Sequence, residues 1–168
     1  MTIILEQLNK EAMMEQLQVR YASFADYDGV EEIMKQVQKL HVNLRPDIYQ
    51  PVETVLTHEE FCKAVGDRRL IVADQNGHVT GVLSYVHRHV ETGKQVTRDV
   101  MLVDCIAVTE QLRKKGIGRK LLEFAINILH NESFDGLELQ VNAHNQNARR
   151  FYEYLGFKEK SINMELII

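Results

Sequence analysis

Five of the eight residues from Arg113 to Lys120 are Arg or Lys, and two of the other three are Gly116 and Gly118. The run Arg113-Lys114-Lys115-Gly116-Ile117-Gly118-Arg119-Lys120 follows an apolar stretch ending at Val108. It opens a segment in which Leu121, Leu122, Ala125, Ile126 and Leu129 recur at helical spacing. Two glycines remove Cβ atoms where the backbone must pass close to something. A helix start carries roughly +0.5 charge and several unpaired N–H groups. Such a turn, flooded with cations, is a socket for a polyanion such as a pyrophosphate. A phosphate-binding loop of the form G-x-x-x-x-G-K-[ST] is not present, and the dinucleotide pattern G-x-G-x-x-G lacks its third glycine. The competing reading is a solvated basic helix start.

A second segment, residues 137–157, reads LELQVNAHNQNARRFYEYLGF. Ala148, Phe151, Tyr152 and Leu155 share one helical face. Tyr152 reads either as a core aromatic with a polar tip or as an acid. Asp104 lies two residues before Ile106, so in a regular strand it faces the same way as Leu102 and Ile106. His87 and His89 also share a strand face, but a metal site needs a further ligand and none is evident. Cys105 matches no Cys-His spacing, and with Cys62 it makes a total of two cysteines, too few for a disulfide framework.

These residues need elements to hold them. Val19 to Ala22 reads as a strand, and Ser23 or Asp26 can cap a helix to about His41. Pro46 and Pro51 mark the loop from Asn43 to Gln50, and Thr57-His58-Glu59-Glu60 is a capping box for a second helix over about 58–66. Leu70 to Asp74 and Val79 to His89 flank Asn76-Gly77, a hairpin signal. Val96 to Val108 is a third long strand, Gly118 to His130 a helix and Leu137 to Val141 a strand. Asn145 to Leu155 is a helix stopped by Gly156, and Ser161 to Ile168 alternates as a final strand. The order is β-α-α-β-β-β-α-β-α-β, which predicts an α/β (α+β) fold with helices covering a mixed, largely antiparallel sheet. Residues 3–17 carry a weak helical pattern, and residues 1–17 read as an N-terminal helical extension to a domain over 18–168.

The chain of 168 residues, with Lys+Arg 20 and Asp+Glu 24, has a formal net charge of −4. That mild acidity argues against a general nucleic-acid binder. No apolar run approaches the ~20 residues of a membrane span. The first residues are interrupted by Glu6, Lys10, Glu11 and Glu15, unlike a signal peptide. A cytoplasmic protein with reduced cysteines is expected, bound neither to membrane nor to nucleic acid.

The two chemical segments together resemble the GNAT superfamily, N-acetyltransferases that use acetyl-CoA. The family's pyrophosphate motif, [QR]-x-x-G-x-[GA], matches Arg113 through Gly118, and N-x-x-A-x-x-[FL]-Y-x-x-x-G-F matches Asn145 through Phe157 without a gap. Ile106-Ala107-Val108 looks like the end of the family's fourth strand. The resemblance covers about residues 18–168 and implies a GNAT-like sheet. It implies that the backbone around Ile106, Ala107 and Val108 binds the pantetheine arm. The amides of Arg113, Lys114, Lys115, Gly116, Ile117 and Gly118, with Arg119, would hold the pyrophosphate. Asn145, with Ala148 from the same motif, would contact the cofactor arm, and Tyr152 would sit by the thioester sulfur as general acid.

The implied reaction moves acetyl from acetyl-CoA to a primary amine by direct attack, with no covalent enzyme intermediate and no metal. An alkyl amine with pKa ~10.4 is neutral in about one molecule in 10³ near pH 7, so a base helps. Asp104 is the first candidate, because the family often places an acid on this strand. A free N–H near Ala107 could stabilise the developing oxyanion. The resemblance assigns the acceptor pocket to about His41–Val52 and His87–Arg98. Asp104 with Asp47 would suit a polyamine, an amino sugar or a peptide amine. Arg45 with Arg98 would suit an amine that also carries a carboxylate or phosphonate. The terminal strand Ile162, Met164, Leu166, Ile168 suggests a homodimer. The alternative to an enzyme is an acyl-CoA sensor without turnover.

Overall fold

A computed structural model describes residues 16–167. A five-stranded sheet runs in the order β1-β2-β3-β4-β5, formed by Leu17–Tyr21, Leu70–Gln75, His78–Val90, Arg98–Val108 and Gly136–Leu139. The first four strands are antiparallel neighbours, and β5 lies parallel to β4. Asn76 and Gly77, at φ 54 and 80, make the turn between β2 and β3. Both residues take the left-handed values such a two-residue turn demands.

Helices cover both faces. Tyr27–Leu44 (α1) and His58–Gly66 (α2) pack Val30, Ile33 and Phe61 onto Leu70, Val72 and Val82. Ile117–Asn131 (α3) and Gln146–Tyr154 (α4) lie on the other face, where Ile117, Leu121, Leu122, Ala125 and Ile128 meet Ile71, Ala73, Leu83, Tyr85, Met101 and Val103. Leu70 and Val72 thus turn one way and Ile71 and Ala73 the other, the two-sided burial of a strand between helix layers. Each such fully buried aliphatic side chain contributes about 1.5–3 kcal/mol. Thr57 caps α2 as expected, its hydroxyl accepting the Glu60 N–H at 3.3 Å while Glu60 accepts the Thr57 N–H at 2.9 Å.

Two expectations fare differently. Residues 158–167 are exposed and join no ladder, so the strand expected from Ser161 does not form over the described residues, and Ile168 lies outside them. Alternation alone predicts a strand, but a strand also needs a neighbour's N–H and C=O groups. Of the expected helical extension, residues 1–15 lie outside the described residues, Gln16 is in a turn and Leu17 begins β1.

One ion cluster ties the chain's early turn to the sheet. Arg20 donates to Asp26 at 2.7 and 2.9 Å and to Asp74 at 2.6 Å. Asp26 also accepts the Ser23 N–H at 2.7 Å. Chiefly through the Arg20 hydrogen bond, the Asp26 carboxyl is pulled down from 3.8 to about 2. A depressed carboxyl stabilises the fold above its unfolded value, and that stability is lost as pH falls through the folded one. After solvent screening the effect is about 1–2 kcal/mol. Asp26→Asn should therefore lower the melting temperature at pH 7 but make little difference at pH 2, as thermal melts at both pH values would read.

Candidate active site

The parallel ladder between β4 and β5 covers only Val100–Val103 against Gly136–Leu139. Beyond it β4 continues to Val108, paired only with β3. The strands splay, and among the described residues the β5-facing main-chain groups of residues 104–108 have no strand partner. The β3–β4 register slips here. Ser84 pairs with Cys105 and Tyr85 with Val103, so Asp104 is the extra residue of a bulge. The bulge overturns the expected facing of Asp104. Ile106 and Val108 join Met101 and Val103 on the α3 side, while Ala107 packs on the α1 side. Asp104 follows Val103, so it projects from the α1 face and no longer shares one with Ile106. Its side chain is exposed.

The basic turn takes the form a polyanion site requires. Lys114 and Gly116 are left-handed, at φ 62 and 100. Alternation of left- and right-handed residues points successive N–H groups into one concavity. The Ile117 side chain is buried at 1% exposure, so only its amide can serve a ligand. The Lys120 N–H reaches the Gly116 carbonyl at 3.1 Å, leaving the amides of Ile117, Gly118 and Arg119 as the free donors of the helix start. The cationic side chains contribute less than their number suggests. Arg113 Nε donates to the Val108 carbonyl at 3.1 Å, and Arg119 Nε to Glu123 at 2.8 Å. A Cβ on Gly118 would lie 3.3 Å from Phe151 Cζ, so this glycine also lets α3 and α4 meet.

Asn145 spends its side chain on α4, its Oδ1 accepting the Ala148 N–H at 3.1 Å. The helix so started carries Tyr152, whose ring lies 5.4 Å from Phe151 and 5.6 Å from Phe157. Burial first, and Cys105 second, push the Tyr152 phenol above its ordinary 10.0, so it remains a proton donor at neutral pH. Among the described residues its hydroxyl makes no hydrogen bond. Burial also pushes the Cys105 thiol up to about 12. Its sulfur contacts Met34 Sδ at 3.8 Å. A thiol so held is no nucleophile near pH 7.

α1 crosses this end of the sheet. The Gln36 side chain accepts the Glu110 N–H at 2.9 Å and lies 3.4 Å from Thr109 Oγ1. At its far end Arg45 pairs with Asp47 at 2.7 Å and with Glu165 at 2.5 Å. The loop after α1 is tied back by Glu31, which accepts the N–H groups of Val55 and Leu56 at 3.0 and 2.9 Å. His41 and Tyr49 stack with ring centres 4.9 Å apart. Gln36, Glu31 and Glu165 were not among the residues singled out from sequence. A polar residue gives no sign of its partner 24 to 120 positions away. His87 and His89 are not brought to the splay. His87 and His89 share Asp99, at 2.6 and 2.9 Å. Asp99 is seven residues before Ile106, about 23 Å along a strand.

The family model for the GNAT acetyltransferases matches residues 34–157, which spans the splay, the basic turn and Tyr152. The chain belongs to the GNAT acetyltransferase family. The ribosomal protein bS18-alanine N-acetyltransferase of Escherichia coli K12 is 40% identical over 68 residues, 40% of this chain and 46% of that enzyme. The match thus spans about half the length of the curated relative. Among solved structures, a mutant of the BH1408 protein from Bacillus halodurans superimposes with a TM-score of 0.82 at 28% identity, covering 90% of this chain and 99% of the other. An aminoglycoside N-acetyltransferase, AAC(6')-Iy, in complex with CoA, gives a TM-score of 0.67 at 14% identity over 90% and 98% of the two chains, a likeness of fold. The GNAT acetyltransferase family uses acetyl-CoA. The free amides at α3, left-handed Gly116 and the unpaired β4 edge fit a diphosphate with an extended arm. Among the described residues no helix is long and apolar enough to cross a membrane.

Proposed function

We propose that the chain transfers acetyl from acetyl-CoA to the primary amine of a small molecule or peptide, by direct attack and without a covalent enzyme intermediate. The observation that carries this reading is the juxtaposition of three things: the β4–β5 splay, the free amides at α3 and Tyr152 packed on the same core as Ile106 and Val108 of β4. The backbone of Ile106, Ala107 and Val108 holds the pantetheine arm, since its β5-facing hydrogen-bonding groups want partners. Of the amides from Arg113 to Gly118, that of Arg113 is given to the Glu110 carbonyl at 3.4 Å, so those from Lys114 to Gly118 take the pyrophosphate, with Arg119 at the rim. Asn145 and Ala148 border the arm through the start of α4. Tyr152 protonates the departing sulfur, whose thiol has pKa ~8.5. Asp104, exposed on the α1 face, is the acid that meets the amine. The exposed Ile162, Met164 and Leu166 support a homodimer as part of the same proposal.

Differential melting tests the binding half. At 100 times its dissociation constant, acetyl-CoA should add about 2.7 kcal/mol to the folded state. An equal melting temperature with and without acetyl-CoA rejects the reading. The chemical half is tested by thiol release in an amine panel.

A further inference from the structure

We propose that His41 is the general base that takes the proton from the acceptor amine. This rests on the acetyl transfer proposed above and adds a residue and a role to it.

Placement comes first. Met34 of α1 touches Cys105, and Gln36 holds Thr109 and Glu110 just past the end of β4. Arg45, at the other end, pairs with Glu165 of the C-terminal segment. The helix between them therefore runs across the side of the sheet where β5 has parted from β4. His41 is seven residues from Met34, two turns on, so it leaves the same side of α1 about 10 Å further along. Met34 meets Cys105 from this face, and Tyr152 feels Cys105 from the α3 and α4 face. An imidazole and a phenol thus approach one gap from opposite sides. Attack on a thioester needs that arrangement, a base where the amine enters and an acid where the sulfur leaves.

The imidazole is also free to act. Its ring is half-buried, lies at 34° to that of Tyr49, and among the described residues makes no hydrogen bond. The charged and titratable groups around it are accounted for. Arg45, one turn along α1, is taken by Asp47 and Glu165, and Asp47 in turn feels His144 of the segment before α4. Tyr49 faces it from the following loop. None of these supports a charged ring, and burial lowers the His41 pKa below its usual 6.5. The ring is neutral at pH 7 and can accept a proton.

The step balances as follows. The ammonium proton passes to the His41 ring, and the freed nitrogen bonds to the thioester carbon. The C–S bond breaks, and sulfur takes the Tyr152 proton. The new amide nitrogen sheds its second proton, which restores the phenol through water, and the imidazolium releases its proton to solvent. Asp104 draws the ammonium in.

Hydroxylamine provides the test, because it is uncharged at neutral pH and needs no base to free its lone pair. His41→Gln and His41→Phe, the latter keeping the stack on Tyr49, are compared with wild type. Each is assayed with acetyl-CoA, hydroxylamine and whichever of spermine, glucosamine or an alanine-led peptide the wild type acetylates. Both variants should lose about 10²-fold or more in kcat with the alkyl amine and less than about tenfold with hydroxylamine. The KM for acetyl-CoA should stay put. The acid limb of kcat/KM, below pH 6.5 in wild type, should vanish. Equal losses on both nucleophiles, or a retained acid limb, overturn the His41 role and leave acetyl transfer standing. Thiol release from wild type with none of these nucleophiles overturns both.

Discussion

Tyr152→Phe should lower turnover by about 10²-fold or more while leaving acetyl-CoA affinity within about twofold of wild type. The substitution removes one oxygen and nothing else. The ring keeps its neighbours at 5.4 and 5.6 Å, so α4 stays in place. The lost hydroxyl has no hydrogen-bond partner among the described residues, so no buried group is orphaned and the fold should be no less stable. What disappears is a proton for the departing sulfur. Burial raises the phenol's pKa, which keeps that proton on the oxygen until it is needed. Saturation kinetics separate the outcomes: a fall in kcat with unchanged KM for acetyl-CoA supports the acid role, and equal kcat removes it.

The second large effect is on binding. Gly118→Glu should abolish the melting shift that acetyl-CoA gives wild type. A glutamate in the first turn of a helix is favourable to the helix itself, by about 0.3–1 kcal/mol, so α3 should still form. The same carboxylate would repel a diphosphate held by the neighbouring amides. Its Cβ would also press on Phe151, 3.3 Å away, and strain the meeting of α3 with α4. Gly118→Ala separates the two causes. It carries the same Cβ without the charge, so it should bind acetyl-CoA within about tenfold, or 1.4 kcal/mol, of wild type. If the glutamate variant binds as wild type does, the phosphates do not lie at this turn.

The contrast between residues legible in sequence and those that are not follows from the range of the forces involved. The turn at Gly116 is legible because a left-handed residue before a helix is a local demand that glycine meets. The capping box at Thr57 and the hairpin at Asn76-Gly77 are legible for the same reason: each is settled within four residues. The two buried faces of β2 and β3 show in the unbroken apolar runs Leu70–Ala73 and Val82–Leu83. The motif from Asn145 to Phe157 carries both a cap and an aromatic face, and both are found in α4.

The facing of Asp104 is of another kind. A bulge is a mismatch between two strands, and the slip from Ser84–Cys105 to Tyr85–Val103 exists only when β3 and β4 are paired. The alternation from Ile162 to Leu166 is a strand pattern, yet no strand forms in 158–167; the segment is tied instead by ion pairs of Lys160 with Glu138 and of Glu165 with Arg45. Gly118 looks from sequence like a phosphate residue alone, and packing reveals that Phe151 occupies the space beside it. His41 is expected at the edge of the acceptor pocket, but nothing in the sequence gives it a part in the proton transfer. The sequence by itself determined the elements, the anion-binding turn and the phenol-bearing helix, since these depend on neighbours within a few residues. Tertiary structure alone decided the splay between β4 and β5, the face on which Asp104 stands and the stacking of His41 on Tyr49. Those depend on register and packing between segments far apart in the chain, where a shift of one residue turns a side chain to the other face.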